Sequence, residues 1–414
     1  MRDPERQNVF GNRFTVTFPD FPSFMRTPRY INIYKKIGKH DVVELYYQQF
    51  SPFIQRALKT GVPVKIDYQN DKVKGTFFGY AVDSIAYSAQ TIERAIKVTC
   101  IGASYPLKSK KSKIHLNVTA SEAITEWAKE HKLKAVVTPT IPRFGQISLT
   151  GNSVWEKVQE LANRHGCAAQ MIGTELHFHP IDKMIDMSMT TIPVMAFLDP
   201  FTNPQSHIST QTLSVFKPRV GDYVEGEGHT RSDKVVSGVD PITAKPFSIK
   251  TSPKTVGKNL RTDNKDSLFN SIESSIVVGS QTMAQHMAEG KAHLSRLSIP
   301  AKASGLGDPR INPWATVEIR GTGNTTDGFW IVTEAVHTLH ADGRYTVDFQ
   351  CATDGIGLNK PSATRPASAG LAPVVNENLA ASKTPTKTTL TAVKSMDTMT
   401  SGGFKVTPRR WTGM

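Results

Sequence analysis

The residues of this chain whose types could do chemistry are two histidine pairs, three cysteines and a few separated carboxylates. His177 and His179 stand two apart in an extended stretch and so share one face, while His337 and His340 lie near the end of another strand. Either pair has donors for a divalent metal, but such a site wants three or four protein ligands, and no acidic or cysteine partner recurs at ligand spacing. The His-x-His is therefore read as a solvated or packed pair. Cys100, Cys167 and Cys351 are odd in number and far apart, with neither a Cys-x-x-Cys nor a disulfide framework. Cys100 and Cys351 fall on inward strand positions, where a thiol packs. Asp67, Asp83, Glu175 and Asp240 are scattered and support no hydrolytic pair. Gly321-Thr322-Gly323 is a turn between strands with no helix behind it, which fails the dinucleotide pattern, and no P-loop, Gly-x-Ser-x-Gly or His-Glu-x-x-His occurs. The residues name no catalytic, cofactor-binding or metal-ligating position, so the chain reads as a non-enzyme that works by shape and assembly.

The elements that would position these residues belong to a chain of 414 residues with 38% apolar and 21% charged content, long enough for several domains and a sizeable core. No apolar run approaches the length of a membrane span, and the N-terminal Met1-Arg2-Asp3-Pro4-Glu5-Arg6 is charged, so neither a transmembrane helix nor a secretory signal is expected. With its unpaired cysteines, the chain reads as folded in a reducing cytoplasm. The net charge is +14. From Pro361 to Met414 there are seven basic residues against two acidic, in a Pro, Ser, Thr, Ala and Lys-rich stretch without periodicity that is expected to be extended or disordered. A second cluster, Lys108, Lys110, Lys111 and Lys113, reads as a solvated linker.

Period-two alternation marks the first hundred residues as antiparallel strands with one face on a core, as in Phe14, Val16 and Phe18, in Val62, Val64, Ile66 and Tyr68, and in Ile96, Val98 and Cys100. Between Asp41 and Leu58 the pattern does not separate strand from helix. From Ile114 to Asp182 the period changes. Thr119 with Glu122 and Ser153 with Glu156 are capping boxes ahead of helical stripes (Ala123, Ile124 and Trp127; Val154, Val158 and Leu161), and Gly166 stops the second helix. Gly173-Thr174 then turns a hairpin. Residues 190 to 260 are loop-rich with a strand in His207–Phe216; Ser280–Leu297 is a helix whose Met283 and Met287 face a core; three strands at hairpin spacing follow, around Val317, Ile331 and Val347. The fold class is mainly β with an α+β insertion.

The layout resembles the baseplate hub proteins of long-tailed bacteriophages, the tail-protein family that also forms the base of type VI secretion spikes. The likeness is carried by the strand Ile96–Gly102 leading into the capped module that ends at Ser153–Ala162, by Gly238-Val-Asp-Pro-Ile-Thr243, and by the helix Met283–Leu297 followed by Pro309–Pro313, Val317–Gly323, Phe329–His337 and Tyr345–Gln350. Where the family often has Pro-Gly before the first closing strand, this chain has Asn312-Pro313-Trp314. The resemblance implies two β-barrel-like hub domains plus a small α+β domain and a disordered tail: a first barrel in residues 1–110 with strands returning at about 186–217, an inserted α+β domain at 111–185 on the periphery, a second barrel at 218–358 that includes helix 280–297, and a basic tail at 359–414. It further implies a homotrimeric ring, with no cofactor, that adapts a hexameric tail tube to a trimeric spike or tail tip. Its partners would be the tail tube protein, the spike or tip protein, other baseplate proteins through the tail and the tape-measure protein, with transient DNA passage. Its place would be the virion tail, after assembly in the host cytoplasm. Two other readings stay open: a tail-associated cell-wall hydrolase and a basic nucleic-acid-binding protein.

Overall fold

β-branched and aromatic residues at period two build most of the structure. The computed structural model describes residues 13–20, 27–48, 60–70, 73–88, 94–187, 192–197, 211–219, 233–239, 244–251, 270–273, 280–297, 299–322 and 326–353. Six strands come first: β1 (Arg13–Thr17), β2 (Tyr30–Lys36), β3 (Val42–Gln48), β4 (Pro63–Gln69), β5 (Lys74–Ser88) and β6 (Arg94–Gly102). The ambiguous stretch after Asp41 begins as a strand: Val43, Leu45 and Tyr47 alternate inward, and residues 49–58 lie outside those described. Six later strands, β12 (Val194–Phe197), β13 (Gln211–Pro218), β17 (Ile299–Leu306), β18 (Thr316–Arg320), β19 (Gly328–His340) and β20 (Tyr345–Thr353), join the first six in one twelve-stranded sheet of order β1-β4-β5-β6-β3-β2-β19-β18-β12-β13-β17-β20. Because β19 also pairs with β20, the later six strands form a closed circuit of ladders. The seam with the first six is the antiparallel β2–β19 ladder, from Lys36↔Glu334 to Tyr30↔His340. Thirteen residues in β19 make this double duty feasible: its first half pairs with β18 and its second half with β2, while β20 runs along the other side.

Each group of six encloses its own apolar cluster. Ile31, Leu45, Ile66, Val98 and Cys100 fill the first, with Leu339 and Tyr345 entering from the far side of the seam. Met195, Leu213, Val317, Trp330, Val347 and Cys351 fill the second. Since the second group closes on itself, β1 is the free edge of the large sheet among the described residues.

The inserted module comprises β7 (Ile114–Val118), α1 (Ala120–Glu130), β8 (Lys134–Val137), β9 (Phe144–Ser148), α2 (Val154–Arg164), β10 (Cys167–Ile172), β11 (Glu175–Pro180) and α3 (Ile181–Asp186). Both predicted capping boxes are present. Thr119 Oγ1 accepts from the Glu122 amide at 3.1 Å while the Thr119 amide donates to Glu122 Oε2 at 3.0 Å, and Ser153 with Glu156 repeats the exchange at 3.2 and 2.7 Å. Removing the hydroxyl by Ser153→Ala leaves one helix-end donor without its partner and is expected to cost about 1 kcal/mol, read as a lower urea midpoint at unchanged slope. Behind the caps, Ile124, Trp127, Val154, Val158 and Leu161 pack on the sheet β10-β11-β8.

Two expectations are corrected. The strands in the 186–217 interval do not return to the first group: β12 pairs with β18 and β13, and β13 pairs with β17. A four-residue β12 has too short a ladder to cap the first group alone, and its Met195 is buried in the second cluster. Helix α4 (Gln281–Arg296) does not fill a barrel. Its Met283 and Met287 pack on Val236 in a separate sheet, β15 (Pro246–Thr251)-β14 (Asp233–Val239)-β16 (Asn270–Glu273), and its middle touches the end of α2. The lysine cluster is exposed, as expected, at Lys108, Lys110 and Lys111, and two of its members are paired: Lys113 Nζ lies 2.7 Å from Glu126 Oε1 and also pairs with Glu130, which Lys111 reaches at 3.4 Å. Residues 207–210, Asp240–Thr243 of the Gly-x-Asp-Pro turn, Gly323 and the tail at 359–414 lie outside the described residues. Among the described residues no helix is long and apolar enough to cross a membrane.

Candidate functional site

The structure keeps the chemically capable residues apart. His177 and His179 do share a face of β11, with ring centroids 5.6 Å apart, but each has its own partner: Glu175 Oε2 at 3.4 Å from His177 Nε2, and Thr138 Oγ1 at 2.7 Å from His179 Nδ1. Burial lowers the proton affinity of both, and for His179, beside Lys183, the pKa falls to about 4. His337 and His340 lie on the last turns of β19 without meeting. His337 is fully buried and shares a 2.9 Å hydrogen bond with Tyr345, whereas His340 sits beside Tyr30. Among the described residues no group of three His, Cys, Asp or Glu side chains is placed to hold a metal. The three thiols are buried, and burial pushes Cys100 and Cys167 up to about 12 and Cys351 higher still, so none is a thiolate nucleophile near neutral pH. Asp67 is tied to Lys65 and Thr76, and Glu175 to Lys134. Gly321 and Thr322 donate their amides to Asp327 at 3.1 and 2.8 Å, the signature of a closed turn.

What the patterns missed is a polar cluster where the strand groups meet the inserted module. Lys35, near the end of β2, donates to Asn312 Oδ1 at 2.8 Å and to the Tyr68 hydroxyl at 3.4 Å. Burial works against the Lys35 ammonium, but Tyr68 and Asp41 outweigh it and its pKa ends raised. Burial lifts Asp41 to about 6 despite the pull of Lys35. The Tyr68 ring contacts both His337 and Tyr345 at about 6 Å, closing the cluster against the first core. Lys35 follows Ile31 and Ile33 on the inward side of β2, and the fold of residues 309–315 brings Asn312 to it as a partner.

The segment 309–315 also explains the departure at Asn312-Pro313-Trp314. Trp314 takes φ of +70°, the left-handed region that a glycine occupies freely, and it does so with its ring buried beside Met184, Phe329 and Ala352. Its amide donates to Val332 O at 2.8 Å and the Ala315 amide to Asn312 O at 2.9 Å, so hydrogen bonds on both sides fix the turn.

The buried histidines set an acid limit. Burial first, and neighbouring cations second, hold His165 and His179 at about 4 and His337 at about 3, against 6.5 when unfolded. Below pH 6.5 the unfolded chain therefore binds more protons than the native one, and stability falls until the native values are reached. Asp41 works the other way: raised in the native state, it adds stability as pH drops from about 6 towards its unfolded value of 3.8. A tenfold change in proton affinity is worth about 1.4 kcal/mol, and three depressed histidines outweigh one raised carboxyl. The urea midpoint is expected to decline steadily from pH 6.5 to 4; a midpoint flat over that range would contradict the neutral, buried assignments.

No family model matches the chain, and no curated protein matches it by sequence. Solved structures do. A tail protein from Neisseria meningitidis MC58 superposes with TM-score 0.61 at 12% identity, covering 84% of this chain and 98% of that one. The 43 kDa tail protein of prophage MuSo2 from Shewanella oneidensis superposes with TM-score 0.56 at 12% identity, covering 83% and 98%. An E. coli component of the type VI secretion system, described as similar in structure to T4 bacteriophage tail proteins, superposes with TM-score 0.50 at 9% identity, covering 86% and 81%. The chain has the fold of these proteins, and the likeness expected from its order of elements is present in three dimensions.

Proposed function

We propose that this chain is a structural protein of a phage tail, the hub of a baseplate, acting as a homotrimeric ring between a hexameric tail tube and a trimeric spike or tip. The observation that carries the reading is the division of one sheet into two groups of six strands about the β2–β19 seam, in a fold shared along 98% of a tail protein. Each group acts as a barrel-like unit. Three copies then present six similar units, which satisfy a sixfold partner on one side, while the threefold axis itself suits a trimeric tip on the other. The closed ladders of the second group hide their strand edges, which limits aggregation before assembly, and β1 is the free edge of the first group among the described residues. The ring would leave a channel for the tape-measure protein and DNA, and the basic residues of 361–414 would reach neighbouring baseplate proteins.

Native mass measurement of the purified full chain, alone and mixed with tail tube protein, tests the stoichiometry. A species of three times the 45.6 kDa chain mass is expected; dimers or hexamers as the only assemblies would refute it. Clearing of peptidoglycan in a zymogram would instead favour a cell-wall hydrolase. Salt-sensitive DNA retention that disappears on deleting residues 361–414 would favour a nucleic-acid binder.

A further inference from the structure

We infer that His165 is an acid-sensitive latch: uncharged, it lets α4 and the sheet β15-β14-β16 rest on the inserted module, and charged, it releases them as one unit. The latch operates within a single chain, whatever the stoichiometry of an assembly.

His165 closes α2 and is only 4% exposed. Both of its ring nitrogens are buried without a hydrogen-bond partner, although a neutral imidazole carries one donor and one acceptor. The ring lies edge-on to Phe144 of β9, with 5.6 Å between centroids. Phe144 in turn packs both on the core of the module and on the cluster of Val236, Met283 and Met287. His165 therefore stands at the joint between the module and the α4 unit. Beside it the backbone of Gly166 meets that of His286 and Gly290 so closely that a β-carbon has no space. Such a joint accepts a neutral ring and offers a cation nothing.

The charges that face the ring oppose a further cation. His286 of α4 and Arg164 of α2 act on it, and both carry the same sign once protonated. The neighbouring carboxylates are engaged elsewhere. Glu160 of α2 holds Lys157 and Arg164, Glu289 of α4 accepts from Gln285 Nε2 at 3.1 Å, and Asp182 of α3 acts on the Cys167 thiol. β9 contributes the Phe144 ring, and β14 and β15 present Val236, Phe247 and Ile249 to the shared cluster. Burial first, then His286 and Arg164, hold the His165 pKa at about 4. Opening the joint restores the ordinary 6.5, so the open form gains up to about tenfold per pH unit as pH falls between those values.

Topology keeps the release local. Among the described residues no ladder joins the sheet β15-β14-β16 to the twelve-stranded sheet or to the module. Its contact with α4 is closed within one cluster, Val236 with Met283, Ala284, Met287 and Ala288, so the unit stays together when it leaves. The fixed point is Leu297 at the end of α4, which packs with Ala168, Ile181 and Trp314 and serves as the pivot. The groove at the joint is lined by Cys167 and Ile181 on one side and by Met287, Gly290 and Leu294 on the other. Lifting α4 uncovers Cys167.

The test labels the thiols of the full-length protein with dithiodipyridine at about pH 7.5 and about pH 5, dividing each rate by that of N-acetylcysteine and locating the label by peptide mass. Cys100 and Cys351, inside the first and second strand groups, report unfolding of the whole chain, and Cys167 reports the joint. Labelling of Cys167 is expected to rise about thirtyfold from the higher pH to the lower, while Cys100 and Cys351 lag behind. His165→Phe retains a ring against Phe144 but takes no charge, and should abolish the rise. His165→Leu should do the same, and it replaces the first variant if the larger ring disturbs the joint. No rise in the unaltered chain would overturn the inference. So would an undiminished rise in the folded variant, or a parallel rise at all three cysteines.

Discussion

Gly166→Ala is expected to cost about 3 kcal/mol, against about 1 kcal/mol for Gly173→Ala, although both glycines have left-handed backbones. Gly166 has φ +61° and Gly173 φ +62°, so the conformational penalty for a β-carbon is the same at both. Their surroundings differ. A β-carbon on Gly173 would meet nothing within 4 Å, whereas on Gly166 it would lie 2.0 Å from the carbonyl oxygen of His286 and 3.0 Å from the Cα of Gly290. Neither contact is with a side chain that can swing aside. To admit the methyl group, α4 must lift from the end of α2, and its Met283, Ala284, Met287 and Ala288 must shift against Val236. The difference between the two variants in chemical denaturation isolates the packing part, and faster proteolysis within 281–296 should accompany Gly166→Ala alone. Equal losses would mean that the close approach of the two helices contributes nothing.

Trp330→Ala should be at least as damaging, about 3–5 kcal/mol. Trp330 lies inside the closed circuit, 2% exposed, with its indole N–H donating to Thr326 O at 3.1 Å and its ring edge-on to Phe216 of β13 at 5.2 Å between centroids. It thereby fastens β19 to a strand on the opposite side of the circuit. Truncation leaves a cavity that surrounding strands, each tied on both sides, cannot close. Phe78→Ala, at a ring that is 36% exposed, serves as the matched control and is expected to cost under about 1 kcal/mol. A loss at Trp330 no greater than at Phe78 would show that the second group has no shared interior.

Much of this architecture was legible from residues in one stretch of chain. Thr119 with Glu122 and Ser153 with Glu156 announce helix starts because the motif completes its own hydrogen bonds within four residues. Gly173-Thr174 announces a hairpin for the same reason, and Gly173 does take φ +62°. What escaped notice depends on contacts between distant residues. The assignment of β12 and β13 to the second group is a matter of which edges they meet, and a four-residue strand carries too little pattern to say. The helix 281–296 showed its apolar stripe plainly, yet the stripe does not name the sheet it covers. Lys35 follows Ile31 and Ile33 on the inward side of β2, but nothing near it in the chain names Asn312, 277 residues later, as the acceptor of its hydrogen bond. Trp314 gave a faint signal, since it stands where the resembling family has glycine, and the structure shows why that position matters: the backbone there needs a left-handed residue whatever its side chain.

A density reconstruction of the assembled tail end is the most direct test of the central claim. The account predicts three copies of this chain around the tail axis, with six barrel-like units, two from each copy, in a single ring against the tube. Any copy number other than three, or a ring in which only one unit per chain faces the tube, would contradict it.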